Sequence, residues 1–251
     1  NPFFSKYGTP YEVPNFEKIK PEHYMPAYER GMIEQNAAIK KIVNNKEKPT
    51  FQNTIEALEN SNALLEKVAS VFGNQTSANT NKTLQQIAKE LSPKMSKHRD
   101  DIMLNAQLFE RIKSVYNDRN IIAANPKAKG IDQKQQAGLN PEQKKLIEEI
   151  YKDFIRSGAN VADDKKEALR NINKELSLLS LQYGENTLKE DNSWKHFIDN
   201  EKDLAGLPES LKQAMALEAK QAGQEGKWLV TLHKSSWIPF LQYAENRNIR
   251  E

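Results

Sequence analysis

The sequence of 251 residues contains no cysteine. That absence excludes disulfide bonds, iron–sulfur clusters, thiolate zinc sites and a cysteine nucleophile. No apolar run approaches the roughly 20 residues that a membrane-spanning helix needs, so no membrane span is predicted. The ten glycines and eleven prolines are too few for an all-β protein, which needs a turn about every ten residues.

The sequence also lacks an excess of charge of one sign. Its 37 Lys and Arg residues nearly balance 34 Asp and Glu residues, which leaves a net charge of +3. The basic pairs Lys40-Lys41, Lys144-Lys145 and Lys165-Lys166 each have acidic residues close by. A nucleic-acid-binding protein normally carries a one-sided basic stripe with aromatic residues between the charges. We therefore predict no nucleic-acid partner.

Local motifs for catalysis and cofactor binding are absent from the sequence. The four histidines His23, His98, His196 and His233 form no H-E-x-x-H zinc motif. There is no G-x-S-x-G motif for a nucleophilic serine, and no two glycines are two positions apart, as a dinucleotide-binding loop requires. We therefore assign no catalytic, cofactor-binding or metal-ligating residue in this chain.

Two pairs of adjacent carboxylates, Asp100-Asp101 and Asp163-Asp164, are the remaining candidates for acid–base chemistry. Neighbouring residues on a helix point about a third of a turn apart, so neither pair converges on one atom. We predict that both pairs are solvated or lie at helix starts. Among the histidines, we expect His23 to bond its neighbours at a helix start and His98 to lie on a polar helix face. His233 is expected in a loop.

Apolar spacing predicts helices over the first half of the chain. An extended arm with prolines and aromatic residues at 1–20 precedes a helix that opens near Pro21. A second helix is predicted from Thr50, as N-cap, to Gly73. A third helical stretch runs from about Thr83 to Asn117 across Pro93, either as one kinked helix or as two helices.

The second half begins with a loop predicted at 120–138. Asn140 to Gln143 has the spacing of a capping box and starts a helix that Gly158 ends. The stretch Leu169–Tyr183 has apolar residues in a 3-4-3-4 pattern, which suits an antiparallel helix pair inside a bundle. Two short strands, at 194–198 and 227–232, flank a helix at about 208–222. A last helix is predicted near Trp237, with Ser236 as its cap.

These patterns predict a mainly α protein, an antiparallel helical bundle with a small β element near 194–232. Three parts are predicted along the chain. An extended arm occupies 1–20, a helical domain 21–190, and a small β-plus-helix segment 191–251, whose last helix is cut at the end of the sequence.

Several residue strings, in this order and spacing, resemble the thimet oligopeptidase/neurolysin family of zinc metallopeptidases, and more closely its bacterial peptidyl-dipeptidase (dipeptidyl carboxypeptidase) branch. The strings are PNFEKIKPEHYMPA (Pro14–Ala27), PTFQNTIEALE (Pro49–Glu59), ELSPKMSKHRDDIMLN (Glu90–Asn105), NKELSLLSLQYGENTL (Asn173–Leu188) and WLVTLHKSSWIPFLQYAENRNIRE (Trp228–Glu251). Ser235 stands where the family pattern has proline. The resemblance covers nearly the whole chain, but the family's H-E-x-x-H helix and third glutamate ligand lie downstream of Glu251.

The resemblance implies a parent enzyme that binds one zinc ion through ligands outside this chain. Zinc and the glutamate of the missing motif would activate water to hydrolyse short peptides, with dipeptides released from the C-terminus. The family fold is a helical ellipsoid divided by a deep channel, and this chain is expected to form a non-catalytic part of the channel wall. Its expected partners are peptide substrates and the missing C-terminal catalytic region.

Two alternatives stay open at this stage. One is a fragment of an oligopeptidase A-like endopeptidase, and the other is an independent helical protein-interaction module that uses the Leu169–Tyr183 seam. The last helix, with Trp237, Phe240, Leu241 and Ala244, is expected to expose an apolar patch that supports self-association. Both cytoplasm and periplasm are compatible with the sequence.

Overall fold

The computed structural model describes residues 1–119 and 139–251, and the loop predicted at 120–138 lies outside the described residues. The predicted fold class is confirmed, because the described chain is mainly helical with a two-stranded antiparallel sheet. The chain divides into two compact units, Asn1–Leu179 and Ser180–Glu251.

The first unit is built from helices. Their bounds are α1 Tyr24–Asn44, α2 Ala57–Glu59, α3 Ala63–Ala78, α4 Lys82–Met103, α5 Ala106–Asp118 and α6 Pro141–Arg156, followed by α7 Asp163–Ser193, in which the boundary between the two units falls. Helix α6 begins with the predicted capping box, in which Asn140 and Gln143 bond each other's backbone N–H groups. Helix α4 continues through Pro93 and ends at Met103, so the break in the third helical stretch follows Met103.

The N-terminal arm is held against the first unit by its own backbone and aromatic groups. Phe3 is 2% exposed and packs against Tyr24, with 5.6 Å between the ring centroids. Lys67 of α3 donates to the carbonyl oxygens of Phe3, at 3.3 Å, and Ser5, at 2.6 Å, and its ammonium lies over the Tyr7 ring. These contacts fix residues 1–7 on the helical surface.

The second predicted helix is interrupted, which corrects the sequence expectation of one helix from Thr50 to Gly73. Thr50 is the N-cap as predicted, and its hydroxyl accepts from the Asn53 N–H at 3.1 Å. A π-helical turn, Phe51–Glu56, comes next, and the short α2 and a 3-10 turn at Asn60–Asn62 separate it from α3. Helix α3 runs past Gly73 to Ala78. The spacing of apolar residues does not distinguish π-helical and 3-10 turns from α-helical ones, because that spacing changes little from one kind of turn to another.

The buried guanidinium of Arg111 on α5 ties the loop between α1 and the π-helical turn to the first unit. Its Nη1 donates to the carbonyl oxygens of Asn45, at 2.8 Å, and Glu47, at 3.3 Å. Its Nη2 donates to Asn53 Oδ1 at 3.1 Å. Burial lowers the pKa of Arg111, and the Glu47 carboxylate opposes that change. The cation is therefore held by neutral acceptors, and Asn53 Oδ1 accepts from the Thr50 N–H and the Thr54 hydroxyl as well.

Two apolar clusters form the core of the first unit. The first lies among α1, the π-helical turn, α4, α5 and α6, and consists of Ile39, Ile42, Phe51, Ile55, Ile102, Leu108, Phe109, Ile112, Val115, Ile147, Ile150 and Phe154. The second lies among the arm, α1, α3 and α4, and consists of Phe3, Ile19, Tyr24, Ala27, Tyr28, Leu65, Val68, Val71, Phe72, Leu84 and Leu91. Gly31 lets α1 approach α3 closely, because a Cβ at this position would lie 3.1 Å from Leu65 Cα.

The second unit contains both predicted strands, β1 Lys195–Ile198 and β2 Trp228–Thr231, with α8 Glu209–Gln221 between them and α9 Lys234–Tyr243 and α10 Arg247–Arg250 after them. The strands pair antiparallel, with His196 opposite Val230 and Phe197 opposite Leu229. The small core of this unit comprises Ile198, Leu204, Leu207, Met215, Val230, Phe240 and Ala244.

Helix α9 differs from the sequence expectation in two ways. It begins at Lys234, and Ser236 lies inside it, buried, where its hydroxyl accepts from the Thr231 N–H at 3.0 Å. Phe240 and Ala244 are 3% exposed, so the predicted apolar patch on this helix is reduced to residues such as Leu241, which is 42% exposed. The small core of the second unit accounts for the difference.

We expect Arg111→Met to lower the free energy of unfolding by about 3 kcal/mol, because the change keeps the aliphatic volume but removes the charged donor of three hydrogen bonds. Chemical denaturation measures the loss. Arg30→Met is the matched control, since Arg30 is exposed, pairs with Glu34 one turn away and lies 4.4 Å from the Phe4 ring centroid. Its expected effect is below about 1 kcal/mol. Equal effects of the two changes would contradict the role assigned to Arg111.

We expect Gly206→Ala to destabilise the second unit more than Gly226→Ala. Both glycines have positive φ, +85° and +88°, so each change costs about 1–2 kcal/mol of backbone strain. A Cβ at Gly206 also overlaps the Tyr243 carbonyl oxygen, whereas nothing lies within 4 Å at Gly226. Thermal unfolding of the two variants checks the order, and a larger loss for Gly226→Ala would show that the overlap is relieved without cost.

Candidate functional site

Helix α7 is attached to α4 through polar side chains. Arg170 Nη1 donates to Asp101 Oδ1 at 2.7 Å, and Asn173 Nδ2 donates to Asp100 Oδ1 at 2.8 Å. Lys97 Nζ also donates to Asp101, at 2.6 Å. Asp100 and Asp101 each bond a different residue of α7, so their carboxylates do not converge on one substrate atom. We therefore interpret this contact as structural.

A charged cleft of about 560 Å³ lies beside this contact, between α4 and α7, and its walls include Lys94, Lys97, Glu167 and Lys174. Most of its charges are already paired within the first unit. Lys94 binds Glu29 at 2.8 Å, and Lys97 binds Asp101. A cleft with both signs of charge, mostly paired internally, offers no strong attraction to a ligand of one sign.

Asp100 is buried, which corrects the prediction that both members of the Asp100-Asp101 pair are solvated. It is 5% exposed, and its Oδ2 has no hydrogen-bond partner among the described residues. Asp101 does lie at the surface, as predicted, and Asp163 lies in the first turn of α7, where it pairs with Lys166 at 2.7 Å. Asp100 was missed because charged residues are rarely buried without a partner cation.

A second cleft, of about 330 Å³, lies among α1, α2, α4 and α6. Its floor is apolar, with Leu65, Ile102 and Phe154, and its wall contains His98. His98 is 6% exposed, so the prediction that it lies on a polar helix face is wrong. A signal for its burial exists in the sequence, because His98 follows Leu91 and Met95 on the apolar stripe of α4 and precedes Ile102 by one turn.

A chain of hydrogen bonds fixes the ring of His98. Ser61 Oγ donates to the Leu58 carbonyl oxygen at 2.6 Å, and Gln35 Nε2 donates to Ser61 Oγ at 3.3 Å. Gln35 Oε1 is then the acceptor for the His98 Nε2–H, at 2.7 Å. Burial lowers the pKa of His98, the Asp101 carboxylate opposes that change, and Lys97 adds to it. His98 is therefore a neutral hydrogen-bond donor at neutral pH.

The other histidines do not converge on a site. His23 Nδ1 accepts from the Lys20 N–H at 3.0 Å, which is the local bond predicted for it. His196 stacks on Trp194, and His233 Nε2 lies 3.3 Å from Asn192 Oδ1. Within residues 1–119 and 139–251, no group of three or more His, Asp or Glu side chains is placed to hold a metal ion. In the same residues, no helix is both long and apolar enough to cross a bilayer.

The apolar seam predicted at Leu169–Tyr183 is formed but not packed inside a bundle. Ile172, Leu176 and Leu179 of α7 are 59%, 58% and 53% exposed. Tyr183, one turn further on, is 75% exposed. No residue of α7, all of which the structure describes, is buried. The polar residues Arg170 and Asn173 occupy the inner face of the helix, so among residues 1–119 and 139–251 the seam is not packed as the predicted antiparallel pair.

Comparison with known proteins gives matches over the whole chain. It is 33% identical to the dipeptidyl carboxypeptidase of Escherichia coli over 251 residues, which are 100% of this chain and 35% of that protein. It is 28% identical to the oligopeptidase A of Salmonella typhimurium over 243 residues, 97% of this chain and 33% of that protein. The chain is related to the N-terminal region of the thimet oligopeptidase/neurolysin family.

The family resemblance predicted from the residue strings is thereby confirmed. A probable cytosolic oligopeptidase A of Arabidopsis thaliana also matches, at 26% identity over 96% of this chain. The chain spans about a third of the length of these curated relatives of the thimet oligopeptidase/neurolysin family. No family model matches the chain.

The pKa of His98 gives a prediction for the pH dependence of stability. Because the pKa is lowered in the folded state, the unfolded chain binds a proton more readily, and stability falls as the pH drops through the unfolded pKa near 6.5. The slope from this one proton is at most about 1.4 kcal/mol per pH unit.

The comparison is between the native chain and His98→Gln, which keeps a side-chain donor for Gln35 but does not titrate. Unfolding free energies from pH 7.5 to 5 are expected to decline more steeply for the native chain. Parallel profiles would show that His98 keeps its ordinary pKa.

Proposed function

We propose that this chain is an N-terminal, non-catalytic wall of a zinc-dependent peptidyl-dipeptidase that removes C-terminal dipeptides from short peptides. The observation that carries the proposal is the 33% identity to dipeptidyl carboxypeptidase over all 251 residues. The lower identity to oligopeptidase A, 28% over 243 residues, favours the dipeptidase over an endopeptidase.

The side chains described here do not fit the zinc site of such an enzyme. A catalytic zinc site needs three protein ligands and an open position. His98 uses its Nε2 on Gln35, and His23 uses its Nδ1 on the Lys20 N–H. His196 and His233 belong to no group of three or more possible metal ligands among the described residues. The ligands are therefore assigned to polypeptide outside this chain.

The proposed contribution of this chain is to restrict access to the catalytic centre and to provide a rigid wall. A wall of packed helices limits access to the catalytic centre, so an extended peptide enters and a folded protein does not. The buried Arg111 and the two apolar clusters make the first unit resist deformation, since opening it would break the Arg111 hydrogen bonds and expose apolar side chains to water. A rigid wall keeps a bound peptide aligned without paying an ordering cost at each turnover.

A second candidate function is an independent helical interaction module, and the observation that favours it is the exposed apolar face of α7. A module would use that face for a separate protein. The gene distinguishes the two functions. An open reading frame with an H-E-x-x-H motif beyond the codon for Glu251 supports the peptidase, and a stop codon directly after it supports the module.

The activity test uses a tripeptide blocked at its N-terminus and a longer unblocked peptide. The full-length protein is expected to release C-terminal dipeptides from both, and the 251-residue chain to cleave neither and to hold no stoichiometric zinc by elemental analysis. Internal cuts by the full-length protein would replace the dipeptidase by an endopeptidase. Cleavage or tight zinc binding by the 251-residue chain would overturn the non-catalytic role.

A further inference from the structure

Helix α7 has its apolar face toward solvent and polar residues toward α4, which is the reverse of the orientation of an ordinary amphipathic helix. At 100° per residue, Ile172, Leu176 and Leu179 fall within about 60° of arc, and this set is called the α7 stripe. The stripe points to solvent, while Arg170 and Asn173 contact Asp101 and Asp100 on α4. Surface helices normally turn their apolar face inward, so the exposed stripe indicates a surface that another helix or sheet covers.

The spacing of the residues in the α7 stripe indicates which kind of structural element can pack on it. Apolar residues that alternate three and four apart fit into the spaces between side chains of a second helix. The residues that flank the stripe, Glu175 and Ser180, carry a single charge, so they present no like-charge cluster to an incoming helix. An apolar helix face is therefore a suitable occupant.

The small size of the α7 stripe decides between an occupant in the same polypeptide and one in another molecule. With Tyr183 one turn further on, four exposed apolar side chains lie along about three helical turns, which is a small contact beside the roughly 1,200 Å² that a stable interface between separate proteins buries. A covalently linked segment does not need such an area, because its effective concentration at the stripe is high. About two thirds of each matched relative lies outside the region that this chain matches.

We propose that the α7 stripe is the docking face for a helix of the C-terminal catalytic region of the same polypeptide. This inference rests on the proposed function, because it requires that the chain is part of a longer peptidase. The polar contacts with α4 hold α7 in place, and the outward apolar face joins the wall to the rest of the enzyme.

The absence of cysteine allows a direct test by thiol labelling. Single variants Leu176→Cys and Lys174→Cys are made in the full-length protein, with any cysteine beyond Glu251 replaced by serine, and in the 251-residue chain. Lys174 is the matched control, since it is exposed on the same helix about half a turn around from the stripe. The rate of reaction with a maleimide is measured at protein concentrations that differ about a hundredfold.

In the 251-residue chain, both thiols are expected to react at similar rates. In the full-length protein, the Leu176→Cys thiol is expected to react about 100-fold more slowly than the Lys174→Cys thiol, because labelling requires local opening of the interface. This protection is expected at every protein concentration, since the occupant is in the same chain.

Other results overturn the inference in distinguishable ways. Equal rates in a full-length protein that releases dipeptides leave the proposed function standing and reject the docking face. Protection that disappears on dilution identifies a second copy as the occupant. Protection already present in the dilute 251-residue chain shows that the chain covers its own stripe. A gene that stops after Glu251 rejects both proposals.

Discussion

The first unit depends on the burial of one face of α1, from Tyr24 to Ile42. Near its start, Tyr24 and Tyr28 pack edge-on against Phe72 of α3, with ring centroids 4.9 and 5.9 Å apart. Near its end, Ile39 and Ile42 enter the other apolar cluster. Helix α1 thus contributes to both cores, as α4 does with Leu84 and Leu91 in one and Ile102 in the other. Gly31 lies between the two regions of α1 and permits its close contact with α3.

The sequence was informative wherever a local chemical rule determined the structure. The capping box at Asn140 and the N-cap at Thr50 were found because these side chains bond backbone groups only three residues away. The strands around Phe197 and Leu229 were found because β-branched and aromatic residues favour a pleated, half-buried surface. The position of the chain within a family was also readable, since many short strings occur in one order.

The sequence was uninformative where a residue's role depends on contacts distant in the chain. His98 bonds Gln35, which is 63 positions earlier, and Arg111 bonds the carbonyl of Asn45, 66 positions earlier. Both residues occupy apolar stripes of their helices, but periodicity does not say whether a polar residue on such a stripe finds a buried partner. The apolar seam on α7 shows a second limit of prediction from sequence. Its pattern was recognised, but a pattern does not specify whether its partner is in the same part of the chain.

The π-helical turn at Phe51–Glu56 constrains how this region can change in length. A π-turn closes its hydrogen bonds over one residue more than an α-helical turn does, and here it brings Thr54 and Ile55 inward together, both 0% exposed. Arg111 Nη2 contacts the Asn53 Oδ1 and Thr54 Oγ1 atoms of the same turn. Loss of a residue from this turn would remove or displace these atoms, so a deletion here would disturb the core and the Arg111 contact together.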